Sequence, residues 1–259
     1  MARDDERWLA APEMSEIVRK VRARTPARLL VGRAGAAYRT GTQLDLREAH
    51  AAARDAVRAE LDLNSALGAA FVEHWNLFEA RTQARDKDEY LLRPDLGRHF
   101  DSASQAEIQT RCSRDIDLQI AIGDGLSVPA VSAQVPALLP LLDEGAKEGG
   151  WKTGPAFVIR HCRVGILNEI GELLHPRVAV LLIGERPGLA TAESLSAYMA
   201  YQPRESHTDA NRNLISNIHA RGLNPRDAAT RILNFAAQMM NAGTSGYLLR
   251  EELPALEDK

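Results

Sequence analysis

An unbroken run of apolar residues is the feature that most constrains how this chain can fold. The run spans residues 178–183, contains several β-branched side chains, and is followed at once by Gly-Glu-Arg-Pro-Gly at 184–188. A short apolar run that ends at glycine is typical of a strand buried on both faces of a sheet. In open α/β sheets, ligands bind beyond the carboxyl ends of such strands. We therefore predict that the turn at 184–188 is the centre of a binding site.

Short apolar runs alternate with helical patterns from about residue 116 onwards. This order predicts an α/β fold with a mainly parallel sheet and flanking helices, of the Rossmann or flavodoxin-like kind. The predicted strands are 117–122, 156–159, 177–183, 193–203 and 214–218. The predicted helices are 128–147, 166–174 and a closing helix that begins at Pro225 and ends at Gly243.

The chain before residue 116 has mainly helical patterns, so a helical amino-terminal part should precede the sheet. Helices are predicted at 15–24, at 45–61 with Asp45 as the N-cap, and at 67–81, and a short apolar segment lies at 27–31. We divide the chain into a flexible extension (1–24), a mostly helical region (25–115) and an α/β domain (116–259). The charged run at 85–89 fits either solvated surface or a contact with another subunit.

Composition and charge argue against several classes of partner. The net charge is −3 and only 5% of residues are aromatic, so we expect no nucleic-acid partner. No apolar run approaches the roughly 20 residues of a membrane span, and residues 1–11 lack the apolar core of a secretory signal. Cys112 and Cys162 form no CxxC pair, which favours buried thiols in a reducing cytosol. We therefore expect a cytoplasmic protein without a membrane partner.

The turns at the predicted strand ends are small and polar, which suits ligand binding better than catalysis. Within 184–188, Glu185 can accept hydrogen bonds from ligand amide groups, although a local ion pair with Arg186 is an equal alternative. The sequence contains no GxSxG, HExxH or P-loop motif, and its histidines are scattered. We therefore predict no catalytic residue and no metal site in this chain.

Seven segments of the sequence resemble the small (light) subunit of ethanolamine ammonia-lyase. The resemblance runs in order from about residue 25 to 246, and its most specific part is GERPG at 184–188 followed by ISNIH at 215–219. The segments are 25–35, 39–46, 85–98, 123–127, 169–172, 184–189 and 215–219.

The resemblance implies an adenosylcobalamin-dependent lyase that converts ethanolamine to acetaldehyde and ammonia by radical chemistry. The family's large TIM-barrel subunit holds the substrate, the small subunit covers the other side of the cobalamin, and six chains of each kind assemble. The sequence lacks the DxHxxG motif that supplies a lower cobalt ligand in many cobalamin domains, so the base-on form is expected. A location within a bacterial microcompartment is left open.

Three residues match the family's cobalamin-contacting positions: Val164, Glu185 and Leu214. The family has cysteine at the third position, so a thiol contact is lost here, whereas a main-chain contact would survive. By this resemblance, 116–259 is the cobalamin-binding domain and 25–115 contacts the large subunit, with 45–61 and 85–98 as candidate docking surfaces.

Two other functions remain open from the residues alone. One is a stand-alone enzyme of the same architecture that acts on a phosphorylated or nucleotide substrate. The other is a regulatory module that binds a nucleotide-like ligand. Turnover without a partner chain would favour the first, and a corrinoid spectrum that requires the large subunit would count against both.

Overall fold

A mixed β-sheet with helices on both faces organises the computed structural model, which describes residues 16–25, 29–31 and 33–251. Within these residues the sheet has six strands, and a small separate hairpin pairs β1 with β2. The strands are β1 (Arg33–Ala34), β2 (Ala37–Tyr38), β3 (Glu79–Arg81), β4 (Leu118–Gly123), β5 (Phe157–Arg160), β6 (Val178–Gly184), β7 (Leu195–Tyr201) and β8 (Asn213–Ile218).

Helices precede the sheet and connect several of its strands. They are α1 (Glu16–Ala23), α2 (Thr40–Arg58), α3 (Leu63–Leu67), α4 (Ala69–His74), α5 (Lys87–Leu92), α6 (Ser102–Arg111), α7 (Val128–Glu148), α8 (Ile166–Leu174) and α9 (Pro225–Ala242). The predicted helical amino-terminal part is therefore confirmed. Residues 1–15 of the predicted extension and 26–28 lie outside the described residues. No helix in the described ranges has the length and apolar character that a membrane span requires.

The strand order is β3-β5-β4-β6-β7-β8, and only the first four strands are parallel. β7 and β8 continue the sheet in antiparallel orientation, so the sheet is mixed. The α/β fold is confirmed, whereas the expected Rossmann or flavodoxin-like kind of sheet is not. The reason lies in the connections. α7 crosses over from β4 to its parallel neighbour β5, and α8 crosses over from β5 to β6, which is parallel to β5 but lies beyond β4. The loops at 185–194 and 202–212 contain no α-helix and return the chain directly, as antiparallel pairing allows.

The apolar run of β6 is buried on both faces, as predicted. Val180 and Leu182 point to the side covered by α7 and α9, while Leu181 and Ile183 join the apolar cluster on the α6 and α8 side. Every residue of β4 and β6 is buried. These central strands therefore give the sheet a rigid middle, and their carboxyl ends lie at one edge.

The predicted helix at 67–81 is wrong, because its second half enters the sheet. The chain leaves α4 through Asn76, whose φ of 47° is left-handed, and β3 then pairs with β5. Phe78, which precedes β3, stacks on Phe157 of β5 with ring centroids 5.4 Å apart. Helical spacing of aromatic residues identified the core side chains here, but tertiary packing chose the extended backbone.

The helix predicted at 45–61 begins earlier than expected. α2 starts at Thr40 with Arg39 at the N-cap, so Asp45 lies inside the helix and does not cap it. Only Ala56 of α2 is buried. α2 is thus a long helix that shows most of its surface to solvent, which keeps it available as a docking surface.

Candidate functional site

The three residues singled out by the sequence line one cavity at the carboxyl edge of the sheet. Val164 comes from the turn after β5, Glu185 from the turn after β6, and Leu214 from β8. The cavity has a volume of about 300 Å³. Tyr90, Gly125, Leu126, Cys162, Arg163, Ile183, Gly184, Arg186, Ser196, Tyr198 and Ser216 complete its lining.

The antiparallel strands give this cavity its floor. In β7, Leu195, Ala197 and Met199 face the core under α7 and α9, so Ser196 and Tyr198 face the opposite side. The described helices that pack on β7 and β8 are α7 and α9, which cover only the core face. Leu214 is 45% exposed on the uncovered face. On this face Ser196 and Ala200 of β7 are buried, so the exposed part is the strip of β8 that carries Leu214 and Ser216, which is a suitable platform for a flat ligand.

Glu185 ties three segments of the chain together. Its Oε2 accepts a hydrogen bond from the Ser194 hydroxyl at 2.7 Å, and its Oε1 accepts from the Ser196 hydroxyl at 2.6 Å and from the backbone N–H of Asn217 at 2.9 Å. A carboxylate offers about four lone-pair positions, so three of them are occupied by the protein itself. One acceptor position, on Oε2, is left for a ligand.

The ion pair between Glu185 and Arg186, which the sequence left as an alternative, does not form within 4.0 Å in the described structure. Arg186 is exposed and lines the cavity, while the carboxylate turns towards β7 and β8. The turn is therefore held by hydroxyl and backbone donors. The positive charge of Arg186 therefore remains available to a ligand at the cavity.

The ISNIH segment owes its shape to a left-handed residue at its centre. Asn217 has a φ of 63°, and this directs its N–H to Glu185. The His219 ring fixes the other side of the turn, with Nδ1 accepting from the backbone N–H of Arg221 at 3.2 Å and Nε2 lying 2.8 Å from Asn217 Oδ1. Nε2 therefore carries the ring proton and donates a hydrogen bond to Asn217 Oδ1. GERPG and ISNIH thus form one hydrogen-bonded unit.

The glycines of GDGLS and GERPG allow the ends of β4 and β6 to approach closely. Gly125 has a left-handed φ of 56°, and a Cβ atom there would overlap with the carbonyl oxygen of Gly184. The backbone N–H of Leu126 donates to the same oxygen at 3.1 Å. At Gly125 the closely approaching group is therefore the protein's own backbone rather than a ligand.

The wall around Val164 is built from buried groups. The Tyr90 hydroxyl donates to the carbonyl of Cys162 at 2.9 Å, and the guanidinium of Arg163 lies 4.2 Å from the centre of the Tyr90 ring. Burial raises the pKa of the Tyr90 hydroxyl, so the side chain stays neutral. Cys162 is fully buried and its thiol pKa is raised by the same cause, in agreement with the expected buried thiol.

Two buried charged residues beneath this wall were not identified from the sequence. Asp124 is 0% exposed and Lys87 is 5% exposed, and Lys87 Nζ lies 3.3 Å from Asp124 Oδ2. Lys87 belongs to the charged run at 85–89, for which the sequence allows either solvated surface or a subunit contact. The sequence feature that could have identified Asp124 is its position directly after the apolar carboxyl end of a predicted strand. An acid that is buried in such a place needs a charged partner.

Other cavities and clusters do not match the sequence motifs as well. A larger cavity of about 610 Å³ lies beside α8, but its lining mixes arginine, histidine and acidic residues and includes none of the three predicted positions. Within the residues that the structure describes, no group of three or more His, Cys, Asp or Glu side chains is placed to hold a metal ion. The cavity at 184–188 therefore remains the candidate site.

Comparison with known protein families gives a match over most of the chain. Residues 15–250 match the family model described as "Ethanolamine ammonia-lyase light chain (EutC)". The matched range includes every described element of the sheet and all three cavity residues.

Curated proteins give the same result. The chain is 40% identical over 239 residues to the ethanolamine ammonia-lyase small subunit of Clostridium perfringens, which covers 92% of this chain and 79% of the relative. It is 40% identical to the small subunit of Clostridioides difficile, with 92% and 80% covered. It is 39% identical to that of Clostridium acetobutylicum, with 92% and 94% covered.

Proposed function

This chain belongs to the ethanolamine ammonia-lyase light-chain family, and from that premise we propose that it is the small subunit of an ammonia-lyase that converts ethanolamine to acetaldehyde and ammonia. The observation that carries the proposal is the convergence of Val164, Glu185 and Leu214 on one cavity. These positions are far apart in sequence, and they were chosen because they match the family's cofactor contacts. Their convergence on uncovered sheet is what a shared ligand requires.

The cofactor that we propose is adenosylcobalamin, and the residues of the cavity fit it. Its flat ring suits the exposed outer face of β8, and its amide side arms suit the free acceptor position of Glu185 and the hydroxyl of Ser216. When bound, the cofactor supplies the radical chemistry, while the protein supplies positioning and exclusion of water. No histidine is among the described residues that line the cavity, which supports the base-on form.

Each of the three residues has a distinct proposed role. Val164 gives an apolar contact from the turn after β5, and Leu214 gives a second one from the exposed face of β8. Glu185 accepts one amide N–H on Oε2 and at the same time fixes Ser196 and Asn217 around the ligand. Arg163 presents a buried Nε without a partner in the described structure, next to the same cavity.

The cavity is too small to enclose the whole cofactor, which supports a site shared with a second chain. Its volume of about 300 Å³ is at the lower end of the range for pockets that hold drug-sized ligands, and a corrinoid is larger. We propose that the large catalytic subunit covers the remainder and holds the substrate, in an assembly of six large and six small chains. Residues 116–259 then act as the cobalamin-binding domain and 25–115 as the subunit-contact region, in a cytoplasmic complex.

Reconstitution with a large subunit tests this function. The chain is expressed with the large subunit of a relative, and ammonia release from ethanolamine is measured with and without adenosylcobalamin. Release that requires both chains and the cofactor is the expected result. Release by this chain alone would contradict the proposal, as would a complex whose corrinoid absorption is unaffected by Glu185→Ala and Leu214→Asp together.

A further inference from the structure

Lys87 and Asp124 form a buried ion pair to which the proposed function assigns no role. Both side chains are nearly inaccessible, at 7% and 0% exposure, and they lie directly under the cavity wall. Burying two charges costs free energy that their attraction often fails to recover, so such a pair is weak evidence for a role in stability. A role in fixing local geometry explains it better.

Asp124 holds the turn that leads from β5 to Val164. Its Oδ2 accepts the backbone N–H of His161 at 2.9 Å, and its Oδ1 accepts the N–H of Cys162 at 2.8 Å. His161 has a φ of 56°, a left-handed conformation that a residue with a side chain rarely adopts. One carboxylate therefore accepts hydrogen bonds from two successive backbone N–H groups, and these bonds stabilise the strained backbone of the turn.

Lys87 connects the same carboxylate to the rest of the wall. Its Nζ also donates to the carbonyl of Gly125 at 3.4 Å and lies 5.0 Å from the centre of the Tyr90 ring. Gly125 and Tyr90 both line the cavity. The ammonium group thus balances the buried negative charge and at the same time joins α5 to the end of β4.

The ion pair makes no hydrogen bond to the Glu185 side of the cavity. The recorded partners of the Asp124 carboxylate are Lys87, His161 and Cys162, whereas Glu185 is held by Ser194, Ser196 and Asn217. The two carboxylates therefore share no hydrogen-bond partner, and the walls are linked through the backbone, for example by the Leu126 N–H that donates to the Gly184 carbonyl at 3.1 Å. A change at Asp124 should therefore disturb the Val164 wall more than the Glu185 wall.

We propose that Asp124 is a positioning residue, which holds Val164 and Arg163 at the cofactor cavity through the N–H groups of His161 and Cys162. Lys87 serves as its charge partner. The inference rests on the proposed cobalamin function and deepens it. Full burial of a valine side chain such as that of Val164 contributes up to about 10- to 100-fold to affinity, and we expect a loss of cobalamin affinity in that range.

The test uses the assembled complex and four small-subunit variants. Asp124→Asn breaks one of the two backbone contacts and leaves Lys87 buried without its partner. The double variant Lys87→Met with Asp124→Asn removes both charges. Asp117→Asn is the matched control, because Asp117 lies just before β4, at the opposite end of that strand, and also accepts a backbone N–H, that of Lys152 at 2.9 Å, and an arginine contact. Val164→Ala is the fourth.

Cobalamin affinity is measured by corrinoid absorbance, the thermal midpoint by calorimetry, and the opening of the turn at 161–164 by amide hydrogen exchange. We expect both Asp124 variants to bind about 10- to 100-fold more weakly, because the apolar contact of Val164 is displaced, and to exchange faster at 161–164 than wild type. The double variant should regain most of the thermal midpoint but not the affinity. Asp117→Asn should lower the midpoint without a comparable loss of affinity. The double variant contains no unpaired buried charge. If Asp124→Asn alone fails to fold, the cobalamin affinity of the double variant therefore tests the inference.

Two results would overturn the inference. One is wild-type affinity in the double variant, and the other is an equal loss of affinity in Asp117→Asn. A further variant that combines Asp124→Asn with Val164→Ala completes a double-mutant cycle. Its loss of affinity should be smaller than the product of the two single losses, because Asp124 acts through Val164, and a loss equal to the full product would also contradict the inference. Failure of the proposed function is distinguishable from these results, because the wild-type complex itself would then bind no cobalamin.

Discussion

The backbone N–H of Asn217 donates a 2.9 Å hydrogen bond to the carboxylate of Glu185, across a separation of 32 residues. This bond joins the turn after β6 to the end of β8, with β7 between them. GERPG and ISNIH are therefore two halves of one structural unit at the cavity. Glu185, at the centre of this unit, accepts the hydrogen bonds that hold the cavity wall together and retains one acceptor position for a ligand.

Glu185→Ala should weaken both folding and cofactor binding. The substitution removes three hydrogen bonds to a charged acceptor, and each such bond contributes about 1.5–3 kcal/mol when it is formed in place of water contacts. We expect the free energy of unfolding to fall by at least about 1.5 kcal/mol and cobalamin affinity to fall as well. Denaturant unfolding and corrinoid titration measure the two effects. Glu193→Ala is the control, because Glu193 is exposed nearby and its hydrogen bonds in the described structure, to Gln134 and Thr191, are made by its backbone. Equal effects of the two substitutions would remove Glu185 from this role.

Leu214→Asp should affect binding without affecting folding. The side chain is 45% exposed on the uncovered face of β8, so an exposed substitution there should change stability by only about 0.5 kcal/mol. A carboxylate on the apolar platform should weaken binding of the corrin ring and of the large subunit. Leu214→Cys, which restores the residue of the family pattern, should bind as well as wild type. Leu248→Asp, at 68% exposure outside the cavity, is the control. Binding that is unchanged by Leu214→Asp would exclude this face as the platform.

Gly125→Ala should be much more destabilising than Gly150→Ala. Both glycines have left-handed φ values, 56° and 70°, so both substitutions carry the cost of a side chain in that conformation, about 1 kcal/mol. At Gly150 a Cβ atom meets nothing within 4 Å, whereas at Gly125 it overlaps with the carbonyl of Gly184. Overpacking adds typically about 1–3 kcal/mol. Thermal unfolding of the two variants measures the difference, and equal midpoints would show that β4 and β6 can separate freely.

Glu60 should make the stability of the chain sensitive to acid. Burial raises the pKa of this carboxyl, but hydrogen bonds from Arg160 at 2.9 Å and His161 at 3.1 Å outweigh it, so the pKa lies below the ordinary value of 4.5. A lowered folded-state pKa gives stability that is present above the unfolded value and is lost as pH falls through the folded value. The stability difference between wild type and Glu60→Gln should therefore shrink from about pH 5 to pH 3. A stability difference for Glu60→Gln that stays constant over this pH range would contradict the assignment.

Much of the central sheet follows from local pattern. The runs around β4, β5 and β6 are apolar enough to be buried on both faces, and α8 and α9 begin and end close to where their spacing and caps place them. The chain before residue 116 was harder. Phe78 shares helical spacing with Phe71, but its stacking on Phe157 draws the following residues into the sheet as β3.

The sequence alone determined which residues can be buried and which turns are polar, because hydrophobic periodicity and glycine placement are local properties of the chain. It also determined the family, through the motifs at 184–188 and 215–219. Only the tertiary structure decided that β7 and β8 run antiparallel and leave the outer face of β8 exposed. Strand direction and the partners of Glu185 and Asp124 depend on contacts between residues far apart in sequence, and no local pattern encodes the distance between such groups.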